Sequence, residues 1–467
     1  MDSRTKKAKL NSIVTLIANI MQVIIGFIVR KLFIKYLGVT YLGYNSVFSN
    51  ILQMLNLADM GIGVAITSYL FKPLAENNKK HVASLMVIYK KLYSIMGKIV
   101  LIIGIIVSVF LKQLIPDATC SITYLRILFY INLIGTVSTY FIAYKRTLLI
   151  ADQKSYITNI LDAIMYFCFS MIQIVALIVY PSYIVYLILS IMKNIISNII
   201  LSIKTGKLYG KFKNDADIMV IKEYKPQIYK YVKEVFVSRI GAVVYYSTDN
   251  VILSVIKGSI LTGYLSNYTL ITTQLNTVVV QVLNSLQSTF GNYIAMTNDK
   301  DKQKIMTDNY FCVNFCIGNF CMICFALLVQ PFIKLFFGDS MLLDFSTAIW
   351  LGINLLLTFL IQLPSQVFVI YKLFRYDRPI IIVSATLNII ISIILVNILG
   401  INGVLIGTFL TSLIYLFSRF YIIAKYVYNI KYFNYVKKIL YYGVISILTF
   451  LISYFATMNL NATGIIW

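Results

Sequence analysis

The chain has 467 residues, 59% of them hydrophobic and only 12% charged. A soluble domain carries about 25% charged residues, so a water-soluble globular protein is excluded, and the apolar content excludes a disordered chain as well. Lys and Arg number 41 against 17 Asp and Glu, a net charge of +24; in so apolar a chain this excess reads as basic cytoplasmic loops rather than as a nucleic-acid surface.

The polar, basic segment Met1–Leu10 runs into a long apolar helix without an A-x-A-like cleavage site, so no removable signal peptide is expected. Apolar runs then place helices at 11–35, 42–69, 92–114, 122–144, 156–180, 182–203, 232–256, 261–295, 309–336, 345–371, 379–399, 402–424 and 436–457. Each is near or above the roughly 20 residues needed to cross a bilayer, and none alternates as a membrane barrel strand would. The expected fold class is an all-α polytopic membrane protein.

Orientation follows from the connections. Arg4, Lys6, Lys7 and Lys9 precede helix 1, and every even-numbered connection is basic, from Lys72, Lys79 and Lys80 in the second to Lys425, Lys431, Lys437 and Lys438 in the twelfth. The odd-numbered connections hold little beyond Lys112, Lys257 and Lys334. The N-terminus and the even loops are therefore expected in the cytoplasm of a bacterial cell, with the chain in its cytoplasmic membrane.

The sixth connection is the longest. It divides the chain into an N-terminal six-helix lobe at 1–203, a basic linker at 204–231, a second six-helix lobe at 232–426 and a C-terminal extension at 427–467. A local repeat supports the division: Gly38-Val-Thr-Tyr-Leu-Gly43-Tyr44-Asn-Ser46 matches Gly258-Ser-Ile-Leu-Thr-Gly263-Tyr264-Leu-Ser266. Both copies fall on the outer turn between the first two helices of a half. The expectation is of two parallel repeats about an axis along the membrane normal.

Polar residues run in stripes along four helices. Asn11, Thr15, Asn19, Gln22, Gly26 and Arg30 share a face of helix 1, and Asn45, Ser49, Asn56 and Asp59 a face of helix 2. Arg239, Tyr246 and Asp249 do so in helix 7, and Asn267, Gln274, Thr277, Gln281, Asn284 and Ser288 in helix 8. Each group alone is explained by interhelical hydrogen bonding. Four stripes in equivalent helices favour a wet cavity between the halves.

In-span charges are the sharper signal. Lys193 lies ~15 Å by helical rise from either end of helix 6, too far to snorkel easily, so it is expected to bind an anion in the cavity or to pair within its lobe, with Asp162 as the candidate partner. Arg30, Lys31 and Lys35 lie towards the outer end of helix 1, Asp162 and Arg239 nearer the inner ends of theirs; for these an interfacial position competes with a ligand role. Asp59 and Asp249 are candidates for coupling, because a carboxylate in apolar surroundings exchanges protons nearer neutral pH, or for fixed salt bridges.

Several chemistries drop out. Cys312, Cys316, Cys321 and Cys324 spread around helix 9 and cannot converge on one tetrahedral ion. The one histidine, His81, sits in a basic loop, and no G-x4-G-K-[ST] loop is present for direct ATP use. No metal or cofactor is expected. The outer loops are short and carry neither a carboxylate pair nor a histidine cluster, so an enzyme such as a polysaccharide polymerase is not expected.

Arg30-Lys31-Leu-Phe-Ile-Lys35-Tyr-Leu-Gly38, followed by Leu57-Ala-Asp59-Met-Gly61-Ile-Gly63, carries a resemblance continued by Ser247-Thr-Asp249-Asn250-Val-Ile-Leu-Ser254, Tyr264-Leu-Ser-Asn-Tyr268 and Gly291-Asn292. Over nearly its whole length the chain resembles the Wzx-like polysaccharide flippases, the O-antigen and capsule repeat-unit transporters of the multidrug/oligosaccharidyl-lipid/polysaccharide (MOP) exporter superfamily. The resemblance implies two six-helix lobes forming a V around a central cavity, alternating access, and a polyprenyl-diphosphate-linked oligosaccharide as substrate. Family members typically have fourteen helices, and here Ala462–Trp467 is placed to open the last. The anionic headgroup suits Lys193, Arg30, Arg239, Lys31 and Lys35, with Asn19, Gln22, Gln274 and Gln281 for the sugars. Expected partners are the lipid-linked substrate, the bilayer, a polysaccharide polymerase and glycosyltransferases. A peptidoglycan-precursor flippase and a drug/cation antiporter of the same superfamily are the alternatives, the antiporter disfavoured because helix 1 has no Asp or Glu within its span.

Overall fold

Asn and Asp caps and left-handed glycines set where helices begin in this chain. The computed structural model describes residues 2–56, 63, 69–74, 76–142, 145–152, 154–210, 216–297, 299–371 and 373–462; for 2–17, 142, 231, 234–247, 282, 284–289, 292, 295–296, 374 and 459–462 it describes the backbone alone. Among these residues the protein is helical and without strands. The long helices are α1 Asp2–Leu37, α2 Val39–Leu55, α3 Lys79–Val109, α4 Ile122–Ile142, α5 Ser155–Val179, α6 Tyr183–Tyr209 and α7 Ile218–Lys257. They continue as α8 Ser259–Met296, α9 Lys300–Phe337, α10 Phe345–Ile370, α11 Phe374–Leu399, α12 Ile401–Ile423 and α13 Phe433–Ala462. Asp59 and the tail 463–467 lie outside the described residues.

Nine of the described helices, α3 to α6 and α9 to α13, are long and apolar enough to cross a membrane. The stripe-bearing helices α1, α2, α7 and α8 do not meet that combination over their described residues. Several helices run past the apolar segments that announced them. α7 starts at Ile218 behind Asp217, whose carboxylate accepts from the Met219 N–H at 2.8 Å, and α9 starts behind Asp299, which accepts from Asp301 and Lys302. Such caps satisfy the free N–H groups of a first turn. Much of the expected connection at 204–231 is thus helical, over 204–209 and 218–231.

The chain divides into two compact units, 1–263 and 264–467. In the first, α1 packs on α5, α4 on both α3 and α6, and α7 on α2 and α3. The start of α8 belongs to it too, because Asp117 Oδ2 accepts from the Ser259 N–H at 2.7 Å and from the Ser259 hydroxyl at 3.0 Å, while the Ser254 hydroxyl donates to the Leu114 carbonyl at 2.8 Å. Here the two copies of the repeat meet. Gly38 and Gly258 turn the chain with φ of 87° and 97°, open to glycine at little steric cost. A Cβ on Gly43 would stand 2.1 Å from the Ser259 carbonyl oxygen, and one on Gly263 3.0 Å from the Gly43 nitrogen.

In the second unit α11 and α12 form a tight hairpin, α12 also packs on α10, and α9 packs on α10 and α13. Gly403 and Gly407 sit against Leu395 and Ser392, with room for no side chain; small residues four apart permit this approach between membrane helices. Asp377 at the start of α11 takes both Arg419 nitrogens at 2.8 Å, and Arg419 also donates to Ser365 and lies 4.2 Å over the Tyr415 ring. The two side chains are 14% and 6% exposed. Asp377→Ala would strand a buried guanidinium, which costs about 3–5 kcal/mol. The expected result is a lowered melting temperature of the purified protein in detergent, with Asp377→Glu recovering most of it.

Candidate functional site

The in-span cations of the first unit converge on three helices. α6 carries Tyr186, Ser190, Lys193 and Ser197 at helical spacing, α5 carries Asp162, Tyr166 and Gln173, and α1 carries Gly26 and Arg30. Gln173 on α5 ties the two helices by donating to the Tyr186 carbonyl at 3.2 Å and the Ser190 hydroxyl at 2.7 Å. Gly26 lets α1 approach α5: a Cβ there would stand 3.0 Å from the Tyr166 hydroxyl.

Lys193 and Arg30 are both half-buried within this frame. The Lys193 ammonium lies 5.0 Å over the Tyr166 ring, a cation–π contact. Arg30 interacts electrostatically with Tyr186, and Tyr186 with Tyr166. Phe33, one turn beyond Arg30, meets the Tyr186 ring edge-on at 4.9 Å.

Asp162 does not hold Lys193 in an ion pair. Its carboxylate is gripped by Arg146, whose second nitrogen donates at 3.0 Å, and it also accepts from the Ser197 hydroxyl at 2.8 Å. Arg146 reaches on to the Asn198 side-chain oxygen at 3.2 Å. The bidentate fork saturates the carboxylate. Among the described residues Lys193 makes no ion pair with Asp162, and the cluster holds three cations, Arg30, Arg146 and Lys193, to one carboxylate.

No protein-family model matches the chain, and no curated protein sequence matches it. Solved structures do. An inward-facing multidrug-resistance transporter of the MATE family, in the MOP superfamily, is similar with a TM-score of 0.69 at 16% identity, over 88% of this chain and 98% of that one. The lipid II flippase MurJ in an inward closed conformation gives 0.69 at 16% identity, over 95% and 93%. A MOP superfamily transporter from Pyrococcus furiosus, described as having a binding pocket of reversed polarity, gives 0.61 at 16% identity, over 90% and 96%.

The chain shares the all-helical fold of these MATE and MurJ structures. At 16% identity the likeness establishes that architecture, and the residues must speak for the chemistry.

Of the other expected residues, Asn19 and Gln22 are half-buried on α1, and Lys31 and Lys35 are exposed on it, Lys35 lying 5.3 Å over the Tyr36 ring. Asp249 is half-buried on α7; Gln274 is half-buried and Gln281 exposed on α8. The Arg239 side chain lies outside the described residues. The cysteines of α9 are free, and among the described residues no group of ligands is placed to hold a metal ion. Tyr166 and Tyr186 went unremarked in the sequence, and Arg146 was read there only as one of the basic residues of the fourth connection. Their signal was available for the tyrosines: Tyr166 follows Asp162 by one turn, and Tyr186 precedes Lys193 by two, on the faces that meet.

Proposed function

We propose that the protein is a flippase that moves polyprenyl-diphosphate-linked oligosaccharide repeat units across the cytoplasmic membrane by alternating access, for surface-polysaccharide biosynthesis. The observation that carries this reading is the cation-rich cluster of the first unit. Lys193 and Arg30 stand beside two tyrosine rings, and its one described carboxylate is already taken by Arg146. A diphosphate is a compact anion suited to a point-like ammonium and a forked guanidinium, and tyrosine offers a flat apolar face with a polar tip for sugar rings. The prenyl chain stays in the bilayer while the headgroup crosses.

A cationic drug would find like charge at Lys193 and Arg30, and drug/cation antiport is separated from flipping by experiment. Peptidoglycan-precursor flipping shares the lipid-linked headgroup chemistry and is separated by experiment. Purified protein in proteoliposomes is given a fluorescent polyprenyl-diphosphate oligosaccharide and, in parallel, lipid II, with headgroup exposure read by an impermeant quencher. Faster protein-dependent movement of the oligosaccharide carrier supports the proposal. Movement of lipid II alone would assign the protein to cell-wall synthesis instead.

Asp59 and Asp249 are proposed to couple transport to ion exchange. In the same assay Asp249→Asn is expected to flatten the dependence of flipping on an imposed pH gradient. An unchanged gradient dependence in the double replacement Asp59→Asn/Asp249→Asn would remove the coupling role.

A further inference from the structure

A groove of about 870 Å³ opens on the second unit between α11, α12 and the start of α13. Pro379, Ile380, Ile414 and Phe417 give it an apolar wall, and Arg375 joins four tyrosines in the remaining lining. The aromatic groups are organised. Tyr376 and Tyr426 stack at 4.6 Å, and Tyr421 meets Tyr432 edge-on at 5.6 Å. Arg375 lies 5.0 Å over the Tyr376 ring and donates to its hydroxyl at 3.1 Å. Lys425 stands 5.3 Å from the Tyr426 ring and 5.8 Å from that of Tyr421. The stack therefore links the two cations through Tyr376 and Tyr426.

Backbone irregularity puts Lys425 and Tyr426 there. α12 ends in a π-helical turn, Ala424–Tyr428, closed by Asn429 in the left-handed region at φ 53°. Such turns concentrate at functional positions. The charge there is also uncompensated. Arg375, Lys425, Lys431 and Lys437 make no ion pair among the described residues. The carboxylates that reach α12 and α13 are committed elsewhere, Asp377 to Arg419 and Asp308 to Lys304 and Lys438.

We infer that this groove seats an anionic phospholipid of the surrounding leaflet, with its phosphodiester between Arg375 and Lys425 and its acyl chains along the apolar wall. The charge favours a net-negative headgroup over a zwitterionic one, whose own ammonium offsets its phosphodiester. Tyrosines at this density mark the membrane–water boundary, and a basic pocket between helices at that depth on the cytoplasmic side is suited to anionic lipid. No residue of the Lys193 cluster takes part, so the inference stands or falls apart from the proposed substrate.

The test is a lipid titration of the purified full chain in detergent, read by native mass spectrometry and by melting temperature. Phosphatidylglycerol is expected to bind and to raise the melting temperature, and phosphatidylcholine at equal concentration to do neither. Arg375→Gln/Lys425→Gln is expected to weaken phosphatidylglycerol binding roughly 30-fold, from about one surface-lipid attraction per cation. Both side chains are exposed, so their loss leaves the fold intact. The control Lys112→Gln/Lys257→Gln removes the same charge elsewhere and is expected to bind as wild type. Equal binding of the two lipids, or undiminished phosphatidylglycerol binding by the Arg375/Lys425 variant, overturns the inference. So does displacement of phosphatidylglycerol by an equimolar polyprenyl phosphate, which would give the groove to the substrate's tail.

Discussion

Lys193→Ala is expected to lower the flipping rate of a polyprenyl-diphosphate oligosaccharide roughly a hundredfold, since truncating a buried charged contact costs about 2–5 kcal/mol and 1.4 kcal/mol is a factor of ten. The ammonium is half-buried over Tyr166, and the Asp162 carboxylate is occupied by Arg146. Removing it should leave membrane insertion and melting temperature close to wild type, because no buried ion pair is broken. Lys193→Arg should retain part of the rate, since the charge and the cation–π contact survive while the geometry changes. Arg30→Ala should act in the same direction. Affinity for a soluble diphosphate-sugar analogue separates ligand binding from a structural role: a purely structural lysine would lower the melting temperature and leave that affinity unchanged. Wild-type flipping by Lys193→Gln would end the site assignment.

The second large effect is expected at Gly43. Even one methyl group there would stand 2.1 Å from a backbone oxygen and 2.7 Å from its carbon, both of Ser259. Neither atom belongs to a flexible side chain, so α2 and the start of α8 must separate and strip Ser259 from the Asp117 carboxylate. Overpacking of this kind typically costs about 1–3 kcal/mol, and more where backbone must move. Gly43→Ala should therefore drop the melting temperature sharply and reduce the folded yield. Gly206→Ala on α6 is the internal control: nothing lies within 4 Å of a Cβ there, and alanine favours the helix by up to about 1 kcal/mol over glycine. A Gly43→Ala protein that melts with wild type would contradict the backbone clasp.

Hydropathy made the nine most apolar of the described helices legible because the bilayer dictates apolar length and the loops keep the charge. It misjudged helix ends for the same reason. Hydropathy marks where a helix enters the membrane, whereas capping by Asp217 and Asp299 decides where it begins, well outside the apolar run. The repeat at Gly43 and Gly263 was visible as a pattern, but its use as a contact between the two copies was not, since a sequence match carries no distance.

At the site, Lys193 and Arg30 stood out because an ionisable group within an apolar helix demands explanation. The partner of Asp162 did not. Arg146 lies in a basic connection, where positive charge is expected anyway, and only the fold brings it onto the carboxylate. The Asp377 and Arg419 pair was hidden likewise: Asp377 sits in a basic loop, and its partner follows 42 residues later on α12. The lipid groove depends on a π-helical turn, which no periodicity in 424–428 announces.

The most direct measurement is protein-dependent translocation in proteoliposomes carrying a polyprenyl-diphosphate oligosaccharide, compared in the same vesicles with efflux of a cationic dye under a pH gradient. The expected result is rapid equilibration of the oligosaccharide headgroup between leaflets, lost in Lys193→Ala, and no dye movement. Gradient-driven dye efflux with a static oligosaccharide carrier would contradict it.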